Sequence, residues 1–262
     1  MLRSLAGRLS RACLALSVIS ASHPQSKPAG NAAASSFSKE ALDYSVEWRL
    51  IFAGNARLTM DPAGTPDQGL WKARLHLESG GLISKLYRID DNYEADMDDH
   101  FCASRTTLDA MERSRHHETK VEYDRARGRA SYVERDLLKN TTIKTAETEI
   151  PACVSDIIGG LYKLRTMRLE PGQSDQLILS DGKKTASARV DAQARETVKT
   201  NAGTFNTVRY EAHIFNGVLY ARKAQFLMWV TDDARRLPVQ FRARMSFPIG
   251  SITLQLDKEG HE

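Results

Sequence analysis

The feature that most constrains this chain is a two-residue alternation of apolar and polar side chains, repeated in segment after segment from Tyr44 almost to the C-terminus. Successive side chains of a strand point to opposite faces, so each such segment reads as a strand with one buried face. Tyr44, Val46, Trp48, Leu50 and Phe52 read as one face, with Ser45, Glu47 and Arg49 on the other. Ala53-Gly54-Asn55 interrupts this strand as a bulge or bend, and Ala56, Leu58 and Met60 resume it until Asp61-Pro62. Trp71, Ala73, Leu75 and Leu77 alternate with Lys72, Arg74, His76 and Glu78, and Ser79-Gly80-Gly81 marks a turn. Residues 82–86 suit a single helical turn, after which Tyr87, Ile89, Asp91, Tyr93, Ala95 and Met97 alternate again.

Residues 101–108, 120–123 and 130–133 read as further strands, the last two joined across Asp124-Arg125-Ala126-Arg127-Gly128. Residues 137–149 are polar and threonine-rich, either an edge strand or a loop. Later strands are expected at 177–179, at 186–194 beyond the turn Asp181-Gly182, and at 195–199 pairing with 205–211 across Asn201-Ala202-Gly203. Phe226, Met228 and Val230 lead to a charged turn at 231–236, followed by Val239, Phe241, Ala243 and Met245, then Ile252, Leu254 and Leu256.

One segment breaks the rhythm. After Pro151, Val154, Ile157, Ile158, Leu161, Tyr162 and Leu164 recur at spacings of three and four, which predicts an amphipathic helix over about 152–168. Ser155 and Asp156 suit its positive first turn, and Arg165 and Arg168 its negative end. Gly159-Gly160 weakens a helix, so close packing against a sheet is the expected reason for it. Many short strands and one helix predict a mainly β fold: a curved antiparallel sheet or half-open β barrel with the helix packed on it.

The N-terminus differs in kind. Arg3, Arg8 and Arg11 precede an apolar stretch at 12–21, and Ser20, Ala21 and Ser22 suit a leader peptidase. About 10 apolar residues are too few for a hydrocarbon core that needs about 20, so a cleaved signal peptide (1–22) is expected, with no transmembrane anchor. Residues 23–40 read as a flexible linker and 41–258 as one antiparallel β domain. Three of the 37 Lys and Arg lie in the leader, so the remainder nearly balances 33 Asp and Glu. No basic stripe interleaved with aromatics is present, which argues against nucleic acid as a partner. Past the leader only Cys102 and Cys153 remain. They are either a disulfide, worth roughly 4 kcal/mol for a loop of about 50 residues, or two separate buried thiols.

No residue set reads as catalytic. His116-His117-Glu118 holds metal-ligand types, but adjacent histidines on a strand face opposite sides. Asp96, Asp98, Asp99 and His100 lack the glycine and terminal glutamate of a calcium loop. Asp232-Asp233 with Arg235-Arg236 reads as a charged hairpin turn, and Glu78-Ser79-Gly80 lacks the first glycine of a nucleophile elbow. No metal site and no cofactor is expected. Glu196, Asp156 and Arg165 are candidates for buried polar contacts between helix and sheet.

Several phrases together carry a family resemblance: Tyr-Ser-Val-Glu-Trp at 44–48 with Ala53-Gly54, Asp156 with Leu161-Tyr162-Lys163-Leu164-Arg165, Arg195-Glu196-Thr197-Val198 with Ala202-Gly203-Thr204-Phe205, and Trp229-Val230-Thr231-Asp232-Asp233 with Leu237-Pro238-Val239. In this order they resemble the bacterial envelope family catalogued as domain of unknown function 3108, over about 41–258. The resemblance implies export to the periplasm or outer envelope of a Gram-negative bacterium. It also implies an architecture similar to the LolA and LolB lipoprotein carriers, whose half-open barrel is closed by helices and holds acyl chains. On that footing the chain is expected to be a non-catalytic protein binding an acyl chain, a lipid or an apolar partner segment. Trp48, Leu50, Phe52, Trp71, Leu75, Tyr87 and Leu161 are the candidate ligand contacts, whose ordinary alternative is core packing. A scaffold that binds envelope proteins through sheet edges, and an enzyme with an unrecognised hydrolase or lyase site, are the other readings.

Overall fold

The computed structural model describes residues 37–65, 68–246 and 248–260; the expected leader and most of the expected linker lie outside them. The alternating segments form strands β1 (Glu40–Trp48), β2 (Ile51–Ala63), β3 (Leu70–Ser79), β4 (Ile89–Asp98), β5 (Ala103–Glu112), β6 (Arg115–Asp124), β7 (Arg129–Asp136) and β8 (Thr141–Glu149). After the helical segment come β9 (Ser174–Ser180), β10 (Thr185–Thr200), β11 (Gly203–Ala212), β12 (Ala224–Thr231), β13 (Pro238–Met245) and β14 (Ser251–Gly260). Among the described residues two helices accompany them, α1 (Gly81–Leu86) and α2 (Ile157–Thr166), where the sequence pattern predicts one helix and a single turn.

All described strands belong to one antiparallel sheet in the order β8-β7-β6-β5-β4-β3-β2-β1-β14-β13-β12-β11-β10-β9. The order is a meander cut in two and joined through β1 and β14, so among the described strand pairings that one alone joins strands far apart in sequence. The sheet curls without closing. Its two edges, β8 and β9, are tied by the extended stretch ahead of α2: Ile150 donates its backbone N–H to Gly128, Ala103 donates to Val154, and Ser155 donates to Ile178 while accepting from Ser180. Tyr123 donates its hydroxyl to Ser180 O across the same gap, at 3.0 Å. The Cys102–Cys153 disulfide fastens this stretch to the start of β5, with Cα atoms 5.0 Å apart. The threonine-rich segment is an edge strand, and nearly every side chain of β8 is exposed.

The helix is shorter than the pattern predicts because its first residues are used as this extended tie. Asp156 caps it, accepting from the N–H groups of Ile158 and Gly159 at 3.0 Å each. The two glycines fit tight places: a Cβ on Gly160 would lie 2.5 Å from Leu179 Cδ2, and one on Gly159 2.9 Å from Phe101 O. At the other end Arg236 donates to the backbone oxygens of Arg165 and Met167, where the helix dipole is negative. Arg165 is buried and paired with Glu40, and its guanidinium also donates to Arg236 O at 2.8 Å. Burial opposes the charge on Arg165, but Glu40 outweighs it and the pKa is raised. This cluster, with Tyr162 donating to Glu40 at 2.8 Å, plugs the end of the barrel where β1 begins.

One reading of the N-terminal strand is corrected. Arg49 and Leu50 both have positive φ, 50° and 68°, and make a two-residue hairpin turn, so β1 ends at Trp48 and a new strand starts at Ile51. Phe52 pairs with Glu47, which puts it on the face opposite Trp48. Leu50 sits at the hairpin tip, 87% exposed. Gly54 follows the bulge at φ 154°, and a Cβ there would stand 1.9 Å from Glu78 O, so the backbones of β2 and β3 approach too closely for any side chain.

Candidate functional site

The concave face is apolar along most of its length because the inward positions of β1, β2, β3 and β14 carry Val46, Ala56, Leu75, Leu77, Ile252 and Leu254. The helix α2 covers only the end near Glu40. Beyond it the interior opens as a recess of about 1010 Å³ toward the other end of β1, bounded by Trp48, by Ile83 and Leu86 of α1, by Tyr87 and Ile89, and by Pro248 and Ile249 of the β13–β14 turn. A second recess of about 270 Å³ lies beneath α2, lined by Leu161, Leu164, Leu177, Val190, Met228 and Phe241 among others. Leu75 and Leu254 form the wall of both, so the two are neighbours along one apolar lane.

Polar groups enter this lane at its open end. Tyr87 donates to Glu112 at 3.2 Å, Ser79 donates to Ile89 O, and Asn55 donates to Glu78. Arg49 stacks on Trp48 and donates to Ile249 O, and Trp48 Nε1 donates to the same carbonyl at 2.6 Å. Asp91 shares the inward face with its pairing partner Leu77, and its Oδ1 is buried without a hydrogen-bond partner. Burial, reinforced by Glu112, pushes the Asp91 carboxyl up to about 6.

Of the residues singled out from sequence, Trp48, Leu75 and Tyr87 line the larger recess, and Leu75 and Leu161 the smaller. Trp71 packs against the core without lining either, while Leu50 and Phe52 lie outside at the hairpin tip. The contributions of α1, of the β13–β14 turn and of Arg222 are missed, since none belongs to a long alternating run. Ile252 and Leu254 alternate visibly, but only the β1–β14 pairing brings them beside Val46 and Trp48.

The other polar candidates are structural. His116 bonds Asp109 and His117 faces Glu134 on the opposite side of β6. Asp98 accepts from the N–H groups of His100 and Cys102 and pairs with Arg125. Asp233 accepts from Arg235 and Arg236 N–H within its turn. Asp156 accepts from Tyr93 at 2.9 Å, and Glu196 accepts from Trp229 and Arg209, so the three buried-contact candidates have separate partners. Among the described residues no group of His, Cys, Asp or Glu is placed to hold a metal ion, and no helix is long and apolar enough to cross a membrane.

No curated protein matches the sequence. Among solved structures, the chain is similar to a β-barrel-like protein of domain of unknown function DUF1849 from Brucella abortus, at 7% identity and a TM-score of 0.57, covering 86% of this chain and 98% of that one. That likeness concerns the fold alone. A Bacteroides fragilis protein with a YmcC-like fold is matched at 10% identity over 85% of this chain and 95% of that one, with a TM-score of 0.37, too low to bear on the argument. The family match is the broader finding, since it spans the chain from β1 into β14: residues 43–257 match the family described as Protein of unknown function (DUF3108), and the chain belongs to that family.

Proposed function

We propose that this is an exported, non-catalytic envelope protein that takes an acyl chain into the lane between α2 and strands β1, β2, β3 and β14. The observation that carries the reading is the recess of about 1010 Å³ left open on an otherwise packed concave face, continued by the smaller one under α2. Its volume is at the top of the roughly 300–1,000 Å³ range of small-molecule sites, and its wall offers dispersion contact and few polar groups. The polar groups at the open end are mostly engaged with one another, which suits a rim that orients a headgroup better than one that performs a reaction. In this reading the half-open barrel works as LolA-like and LolB-like carriers do, with α2 as its stopper. The leader pattern and the Cys102–Cys153 bridge support the periplasm, an oxidising compartment, as its place.

Mass spectrometry of lipids released from the purified protein tests this. An acyl lipid bound near one per chain is expected. Protein that carries no lipid and also leaves a fluorescent fatty acid unbound overturns the reading. A scaffold role ranks second, favoured by the exposed edge strand β8, although Lys144, Glu147 and Glu149 blunt that edge against strand addition.

A further inference from the structure

Six of the eleven exposed large hydrophobics among the described residues gather around the open end of the recess. Leu50 at the β1–β2 tip is 87% exposed, and Leu82 and Leu86 of α1 are 69% exposed each. Ile51, Phe52 and Tyr87 are also exposed large hydrophobics, and Phe52 lies against Gly80 and Gly81, which joins the hairpin tip to α1 in one patch. Leu86 and Tyr87 belong both to this patch and to the lining of the recess, so the recess opens within it.

Basic side chains stand around the patch. Lys85 sits in the last turn of α1, Arg113 lies over the Tyr87 ring at 5.4 Å and donates its N–H to Arg88 O, and Arg49 and Arg222 line the mouth. The acids nearby are Glu78 and Glu112, which accept from Asn55 and Tyr87, Asp91 on the inward face beside Leu77, and Glu47, which pairs with Phe52. We propose that this end of the barrel docks on an anionic lipid bilayer, with Leu50, Leu82 and Leu86 entering the boundary of the acyl chains and the basic side chains meeting the headgroups.

Charge complementarity argues for this occupant. Aliphatic side chains that protrude singly inside a basic surround match an interface where the cations stay in the headgroup layer, and each cation near an anionic surface strengthens partitioning roughly fivefold. Continuity with the recess argues the same way, because an acyl chain leaving the bilayer at Leu86 and Tyr87 reaches Trp48 and Leu75 without crossing water. The proposal rests on the uptake reading only for that second point.

Hydrogen exchange of the full chain with phosphatidylcholine–phosphatidylglycerol vesicles, against pure phosphatidylcholine vesicles, tests it site by site. Backbone amides at 49–53 and 81–87 are expected to gain protection from the anionic vesicles and less from the neutral ones, while the β12–β13 turn at 232–236 is unchanged. In vesicle sedimentation the variant Leu50→Ser/Leu82→Ser, which spares the recess lining, is expected to partition at least tenfold more weakly than wild type. Added salt weakens the preference for anionic vesicles. Absence of protection at 49–53 and 81–87, or equal protection in the double variant, overturns the proposal. The two readings fail separately: loss of docking leaves uptake of a dissolved fluorescent fatty acid intact, whereas loss of uptake leaves the vesicle-induced protection in place.

Discussion

Asp91→Asn isolates a charge that the fold holds at a cost. The side chain of Asp91 faces inward from β4 beside Leu77, and one of its oxygens has neither solvent nor a hydrogen-bond partner. Its carboxyl is pushed up to about 6 by burial and by Glu112, against about 3.9 in an unfolded chain. Between those values the folded state binds more protons than the unfolded state, so stability falls as pH rises from about 4 to about 6 and stays lower above that. About two pKa units correspond to about 3 kcal/mol, but the group is half-buried and solvent screens part of the effect, which leaves about 1–2 kcal/mol. Asparagine has no charge to lose. The variant is therefore expected to be more stable than wild type by about 1–2 kcal/mol near pH 7.5 and nearly equal to it near pH 4, with the denaturant slope unchanged. Urea unfolding at the two pH values measures this. A gain of equal size at both, or a loss near pH 7.5, would refute the assignment of the penalty to the Asp91 charge.

Three further outcomes follow from the packing. Replacing both Cys102 and Cys153 by serine releases a link across 51 residues, and chemical denaturation should show a loss of about 4 kcal/mol in the chain-entropy model. Arg165→Met leaves the Glu40 carboxylate at the barrel's plugged end without its cation and should cost about 3–5 kcal/mol; a loss under about 1 kcal/mol would show that the pair is not structural. Gly160→Ala should cost about 1–3 kcal/mol by driving a methyl into Leu179, and Leu179→Ala should recover part of it in a double-mutant cycle.

Much of this architecture is legible in the sequence because the strands are half-buried, and the interior and exterior demand opposite polarities at successive residues. The turns at Arg125-Ala126-Arg127-Gly128 and at Asn201-Ala202-Gly203 each carry a glycine suited to positive φ, and both hairpins are found where expected. The first hairpin is not legible for the converse reason. Arg49-Leu50 offers no glycine or asparagine, yet takes the left-handed conformation that such a turn requires, so the alternation from Tyr44 to Phe52 reads as one unbroken strand.

The site is legible only where it falls on strands. Trp48 and Leu75 stand out by their inward phase, but where the covering helix begins is not legible in the same way. Its first residues, apolar enough to extend the helical pattern, are taken by pairing with β5 and β9. That choice is made by long-range backbone hydrogen bonds, to which local periodicity is blind.

The central claim, an acyl chain seated in the lane walled by Leu75 and Leu254, is tested most directly by titrating a fluorescent fatty acid into wild type and into Leu75→Glu. Wild type is expected to saturate at one equivalent, and the variant, with a carboxylate where both recesses meet, to bind at least tenfold more weakly, about 1.4 kcal/mol, while keeping its β-sheet circular dichroism. Equal binding by a folded Leu75→Glu protein, or none by wild type, would contradict the account.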